Sequence, residues 1–193
     1  MRRLTLILLF VSSQTLAQDQ LNYGKVLTDK DFTCNTRPFL DSFFNLANIC
    51  DAKNELEIRL RISYMPLPDF DFIVVTYDGN KWAATKYEEN WGDPSTSGAQ
   101  IKSYKLQPSR DFETIFSALK RNNIFTLPNQ SDINIKRNIL DGVVYTLTFK
   151  AGDKFRTYYF DNPTEYRKQN KKMQEFKNYE RIATILYSWF DKE

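Results

Sequence analysis

The chain has 193 residues with 27 basic and 24 acidic side chains, two cysteines and no histidine. Without histidine, Ser-His-Asp and Cys-His nucleophile activation and histidine-based zinc sites are excluded. The near balance of charge gives no support for nucleic-acid binding, and two cysteines are too few for a tetrathiolate metal site.

The N-terminus has the order of a secretory signal peptide. Two arginines precede an apolar run at 4–11, and Thr-x-Ala at 15–17 is a small-residue cleavage site. The run is far shorter than the roughly 20 residues that span a bilayer, so no transmembrane segment is predicted after cleavage. We therefore predict a signal peptide at 1–17, a single domain at 18–193, and a secreted or periplasmic protein. Loss of the two arginines leaves a net charge of +1, which does not favour a broad electrostatic membrane contact.

Cys34 and Cys50 are predicted to form a disulfide, because an exported chain meets an oxidising compartment. Two buried free thiols are the alternative. Between them, a short amphipathic helix is predicted at 38–49 from apolar residues close to helical spacing. These are Phe39, Phe43, Leu46 and Ile49.

Four strands are predicted next, at 57–65, 72–77, 81–87 and 101–106. The first alternates apolar residues with Arg59 and Arg61, which is typical of a half-buried strand with a charged outer face. Residues 88–100 are rich in Gly, Pro, Ser and Asn and are predicted to form an exposed loop.

A helix is predicted to begin at Ser109, with Asp111 and Glu113 in its first turn, where the helix dipole favours carboxylates. Its apolar residues recur at core-facing spacing and the pair Asn122-Asn123 ends it. The stripe consists of Phe112, Ile115, Phe116 and Leu119.

The strongest local signal is a hairpin whose strands lie at 143–150 and 154–160 around Gly152-Asp153. The position of the glycine favours a two-residue type II′ turn, which would place Leu147 opposite Tyr158. A three-residue turn is the alternative and would shift the register by one residue.

Asn162, Pro163 and Glu165 form the sequence pattern of a helix N-cap with a capping box. A helical apolar stripe follows towards the C-terminus, after a basic stretch at 167–177 that is predicted to be a solvated face and is open to an acidic partner or anionic head groups. The pattern leaves open whether 163–191 is one helix or two. The stripe consists of Phe176, Tyr179, Ile182, Ile185, Leu186, Trp189 and Phe190.

Together these elements predict an α+β domain in which an antiparallel sheet of about five or six strands has helices packed on one face.

A candidate ligand-binding cluster lies where the third strand runs into its loop. It comprises Trp82, Tyr87, Glu88, Glu89 and Trp91. Aromatic faces beside carboxylates suit the binding of sugars, and paired carboxylates are the one familiar catalytic device that needs no histidine. The alternative is that the aromatic residues pack in the core and the carboxylates are solvated charges of the loop.

No catalytic residue, metal site or cofactor is predicted. Asp69, Asp71 and Asp78 lie near one another in sequence, but their spacing is not that of a calcium loop, and they read as turn residues flanking strands.

The last 85 residues or so contain four short motifs in a fixed order. They are Leu127-Pro128, Asp141-Gly142-x-x-Tyr145, Arg156-x-Tyr158 and Asn162-Pro163. This pattern resembles uncharacterised secreted proteins of Gram-negative bacteria. The resemblance implies an envelope location and a similar hairpin-and-helix fold, but no activity and no catalytic residue.

The sequence thus favours a non-catalytic binding or accessory domain of the cell envelope, whose partner is an envelope protein or a glycan. The alternative is a carboxylate-dependent enzyme that acts on glycans.

Overall fold

The computed structural model describes residues 21–28, 44–65, 70–90, 100–135, 139 and 141–192. The predicted signal peptide lies outside the described residues, and so does Cys34. Cys50 is partly buried, and its pairing with Cys34 stays a prediction.

Seven antiparallel strands form one sheet in the spatial order β6-β5-β1-β2-β3-β4-β7. Six of them have eight to ten residues and the last has three. The six long strands and the helices confirm the predicted α+β fold. The strands are β1 (Leu56–Met65), β2 (Phe70–Tyr77), β3 (Trp82–Asn90), β4 (Gln100–Pro108), β5 (Gly142–Ala151), β6 (Lys154–Asp161) and β7 (Phe190–Lys192).

Three α-helices and one 3-10 turn complete the described fold. Helix α1 begins at Phe112 rather than at Ser109, because Asp111 has an extended backbone and accepts a hydrogen bond at 2.8 Å from the backbone N of Thr114. It ends at the predicted Asn122-Asn123. The helices are α1 (Phe112–Arg121), α2 (Pro163–Gln169) and α3 (Gln174–Ser188), and the 3-10 turn is Gln130–Asp132.

The predicted C-terminal helical region is two helices, and its predicted capping box does not form. Asn162 has a left-handed backbone and its side chain makes no cap; its Oδ1 instead accepts a hydrogen bond from the N of Val143 at 3.0 Å. A Cβ at Gly142 would lie 1.9 Å from that oxygen, so only glycine fits there. Glu165 pairs with Lys168 at 2.6 Å.

The central hairpin has the favoured register. Leu147 lies opposite Tyr158, and Gly152 has φ +61° while Asp153 keeps an ordinary negative φ. This combination is that of a type II′ turn, which suits the twist of the flanking strands. The three-residue alternative is wrong.

Helices cover one face of the sheet, and the main core lies between the helices and this face. This core alternates along every strand, as the period of two requires. Its fully buried large side chains include Leu60, Phe149, Tyr158, Phe160, Phe176 and Tyr179.

An irregular segment at 44–52 covers part of the other face. The predicted helix at 38–49 is wrong over its described part, because Asn45 has φ +54° and two turns, at 44–45 and 49–51, flank an irregular stretch. The Phe44 ring stacks on Phe72 at 5.1 Å between centroids, which anchors this segment on β2.

The predicted charged outer face of β1 is also wrong in part. Glu57 and Arg59 are each only 4% exposed. Arg59 donates to Glu57 Oε1 at 2.7 Å and to the Ala47 carbonyl at 2.8 Å, so the covering segment and a mutual ion pair satisfy both charges.

The predicted apolar stripe of the C-terminal helix extends beyond the end of the helix. Helix α3 ends at Ser188, and Phe190 belongs to β7, which pairs with β4. Strand β3 continues to Asn90, into the predicted loop at 88–100; residues 91–99 lie outside the described part.

Candidate ligand-binding cleft

Two of the sequence-predicted site residues, Trp82 and Tyr87, lie on opposite faces of β3. Trp82 faces the helices, where its ring stacks on Phe112 at 5.3 Å and its Nε1 donates to Glu113 Oε1 at 3.0 Å. Tyr87 packs against Phe44 at 5.1 Å on the other face. These two residues therefore do not contribute to one binding surface.

Glu88 is the predicted residue that joins a cluster of charges on the helix-covered face. It lies directly opposite Asp71 of β2, and Lys86 Nζ contacts both carboxylates, at 2.8 Å and 3.0 Å. The side chain of Lys86 is only 10% exposed. The side chain of Glu89, and Trp91 as a whole, lie outside the described part.

The ammonium of Lys86 is held in its charged form. Burial disfavours the charge, but the hydrogen bonds to Glu88 and Asp71 outweigh it and raise the pKa of Lys86 above its ordinary value. A lysine with a raised pKa is a poor base and a poor nucleophile near neutral pH. Its role in this cluster is to hold the two carboxylates together.

Tyr64, at the end of β1, connects this charge cluster to a cleft. Its hydroxyl donates to Asp71 Oδ2 at 3.0 Å. Burial, and then the charge of Asp71 and this hydrogen bond, raise the pKa of Tyr64 well above its usual range. The phenol is thus a neutral hydrogen-bonding group at all physiological pH values.

The cleft lies between α3 and the sheet, where β1 ends and β5 begins, and has a volume of about 440 Å³. This lies within the range of about 300–1,000 Å³ that small-molecule sites have. Three tyrosines from three elements meet there, and hydroxyl and carboxylate groups of α3 form the opposite rim. The polar lining consists of Tyr64, Tyr145, Thr164, Glu180, Thr184, Tyr187 and Ser188.

The tyrosines of the cleft differ in how tightly they pack and in how far they are exposed to solvent. Tyr145 is half-buried and its ring stacks on Phe160 at 5.0 Å, nearly parallel, so packing fixes its orientation. Burial raises the pKa of Tyr145. Tyr187 is 48% exposed, and the ammonium of Lys86 lies 5.1 Å from its ring centroid. The Tyr145 side of the cleft is therefore fixed by packing, and the Tyr187 side is open to solvent.

The polar groups on α3 keep the capacity to accept hydrogen bonds. Thr184 Oγ1 donates to the Glu180 carbonyl at 2.8 Å, and Ser188 Oγ donates to the Thr184 carbonyl at 2.6 Å. Each hydroxyl oxygen still has lone pairs for a ligand. The Glu180 carboxylate forms a salt bridge with Arg167, so its charge is already compensated.

A second cavity of about 620 Å³ lies at the other end of the sheet. Tyr77, Glu113 and Phe116 line it, and Trp82 donates to Glu113 at its border. Tyr64 and Tyr145, whose pKa values burial raises, line the first cleft itself. Burial also raises the pKa of Tyr23 beside the second cavity, but Tyr23 is not among the residues that line it. Clefts with perturbed ionisable groups are the better candidates for function, and we therefore select the tyrosine-lined cleft.

The described residues contain no group of three or more His, Cys, Asp or Glu side chains placed to hold a metal ion. Asp71 and Asp78 lie at opposite ends of β2, and Asp69 is not among the residues that the structure describes. Among the described helices, none has the length and apolar character needed to cross a membrane.

Sequence reasoning missed the cleft because its tyrosines resemble ordinary core positions. Tyr64 continues the apolar alternation of β1, and Tyr145 that of β5. Register was the available signal, since Ile62 pairs with Tyr145 and places both strands' tyrosines at one end of the sheet. Tyr187, on the exposed side of α3, falls outside the apolar stripe and gave no signal.

The fold and site define an α+β domain with a tyrosine-lined cleft next to a buried Lys–carboxylate cluster. No family model, no curated protein and no solved structure matches the chain.

Proposed function

We propose that the chain is an exported, non-catalytic binding domain of the cell envelope, and that its cleft takes an uncharged, hydroxyl-rich ligand of the glycan type. The observation that carries the proposal is the meeting of Tyr64, Tyr145 and Tyr187 at one cleft of suitable volume. Tyrosine supplies an apolar ring face and a polar hydroxyl together. Sugars present the complementary combination of apolar C–H faces and hydroxyl groups.

The charges around the cleft support an uncharged ligand. Asp71 and Glu88 both contact Lys86, and Glu180 contacts Arg167. A cationic or anionic ligand would have to compete with these pairs, and displacing Lys86, whose side chain is only 10% exposed, from its carboxylates is costly. A neutral ligand can exchange hydrogen bonds with the hydroxyl groups and leave the pairs intact.

The same cluster argues against the catalytic alternative. Glycoside hydrolysis requires two carboxyl groups that flank the scissile bond, with the sugar between them. Lys86 Nζ lies between Asp71 and Glu88, 3.0 Å from an oxygen of the first and 2.8 Å from an oxygen of the second. The lysine therefore occupies the place that a substrate would need between the two carboxylates.

Support for export comes from the N-terminal sequence: two arginines, an apolar run and a small-residue cleavage site within 1–17.

Binding is tested by calorimetric titration of neutral, anionic and cationic oligosaccharides into the exported protein. We expect a neutral oligosaccharide to bind, and Tyr187→Ala to weaken this binding about two- to tenfold, since an aromatic contact contributes roughly 0.5–1.5 kcal/mol. Tyr159→Ala is the matched control, because Tyr159 is 38% exposed but points to the other face of β6. Failure of every ligand class to bind, or equal effects of both variants, would overturn the proposal.

Turnover is measured on the same oligosaccharides. We expect no product. Release of shorter sugars that is lost in Glu88→Gln would show that the domain is an enzyme.

A further inference from the structure

The small net charge of the chain conceals a strong local separation of charge. The region 163–181 holds six basic and three acidic residues, a net charge of +3. The rest of the predicted mature chain, 18–162 and 182–193, then has a net charge of −2. Region 163–181 and the remainder of the predicted mature chain therefore differ in the sign of their net charge.

Four exposed cations form what we call the basic platform. Two lie in the turn between α2 and α3, and two lie four residues apart on α3, a spacing that puts them on the same helix face. None of the four has an ion pair or side-chain hydrogen bond to any other residue in the described ranges. The basic platform consists of Lys171, Lys172, Lys177 and Arg181.

Helix stability does not account for these cations. Arg167 and Lys168 lie in the last turn of α2, where the helix dipole favours positive charge, and each has a carboxylate partner. Lys171 and Lys172 instead precede the start of α3 and Lys177 lies in its first turns, where the dipole disfavours cations. The positive end of the helix adds to their field, so this corner of the molecule attracts anions from outside.

We propose that the basic platform docks the protein on the surface of an anionic phospholipid bilayer. Flexible lysine ammoniums are point charges that suit a fluid plane of phosphate groups. Protein interfaces, in contrast, are depleted in lysine and enriched in aromatic residues, and the platform contains three lysines and no aromatic residue.

Vesicle co-sedimentation tests this proposal with the exported protein, whose processing is checked by intact mass. The vesicles contain phosphatidylcholine with zero, a quarter or a half phosphatidylglycerol. We expect binding to rise with the anionic lipid and to fall steeply in high salt, where the screening length shrinks to a few ångströms. Lys171→Glu/Lys172→Glu should weaken binding at least about thirty-fold, because each basic residue near such a surface contributes roughly a factor of five.

The matched control is Lys53→Glu/Lys105→Glu, which changes net charge equally at two exposed lysines outside the platform. It should bind nearly as the unaltered protein does, and circular dichroism should show all variants folded. Equal losses in both double variants would mean that only net charge matters and would overturn the proposal. Absence of binding to anionic vesicles, or binding to polyglutamate but not to vesicles, would overturn it too. The cleft proposal is unaffected by either result.

Discussion

Replacing Leu147 by alanine should destabilise the protein far more than replacing its neighbour Thr148. Leu147 is completely buried between Leu60 of β1 and Tyr158 of β6. Truncation loses that burial and leaves a cavity, which together cost about 2–5 kcal/mol. Thr148 faces the other side and is partly buried; its Oγ1 lies 2.9 Å from Thr157 Oγ1. Loss of this hydrogen bond costs about 0.5–1.5 kcal/mol.

Urea unfolding followed by circular dichroism measures both variants. With a urea dependence of about 2 kcal/mol per molar, a 3 kcal/mol loss lowers the midpoint by about 1.5 M and a 1 kcal/mol loss by about 0.5 M. The reasoning depends on the period of two along β5 and on helices covering only one face. Equal midpoint shifts in Leu147→Ala and Thr148→Ala would refute it.

Three further predictions concern covalent structure and charge. The mass of the exported protein without reductant should be two hydrogens lower than after reduction, and two alkylatable thiols would contradict the Cys34–Cys50 disulfide. Lys86→Met should cost about 2–3 kcal/mol at pH 7, less than the 3–5 typical of a fully buried pair, because it leaves two adjacent carboxylates without their cation. Urea unfolding measures this loss, and an unchanged midpoint in Lys86→Met would count against the prediction. The raised pKa values of Lys86, Tyr64 and Tyr158 mean that the folded state holds these protons more tightly. Their contribution to stability is therefore complete below about pH 10 and is lost as pH rises through the folded values. The part of the tyrosinate absorbance that comes from the buried tyrosines should therefore appear only together with unfolding, and ionisation of all eleven tyrosines before any loss of structure would be the opposing result.

Local sequence patterns were sufficient to locate the six long strands of the sheet. Alternation located β1 and the central hairpin because side chains on a strand alternate strictly between faces. The Gly152 position set the register because only glycine adopts φ +61° at low cost. The α1 stripe and its Asn122-Asn123 end were likewise local signals.

Features that depend on distant contacts were not predictable from the sequence. Asn162 bonds to Val143, 19 residues away, instead of capping α2. Glu57 and Arg59 are buried because a segment from earlier in the chain covers them. Phe190 fits the helical stripe, but pairing with β4 draws it into a strand.

The cleft shows the same limit. Its tyrosines are separated by 81 and 42 positions in the sequence, and only the strand order and the path of α3 bring them together. Among the described side chains of the predicted aromatic and acidic cluster, only that of Glu88 lies in the charge network next to the cleft. A cluster that is close in sequence on one strand is divided between two faces by the pleat.

Tyrosine ring resonances during ligand titration test the central claim most directly. The protein is labelled with ¹³C-tyrosine, its eleven tyrosines are assigned by single Tyr→Phe variants, and a neutral oligosaccharide is added to saturation. The account predicts shifts at Tyr64, Tyr145 and Tyr187 and none at Tyr159. Saturable binding that leaves these three resonances in place and shifts others would contradict it.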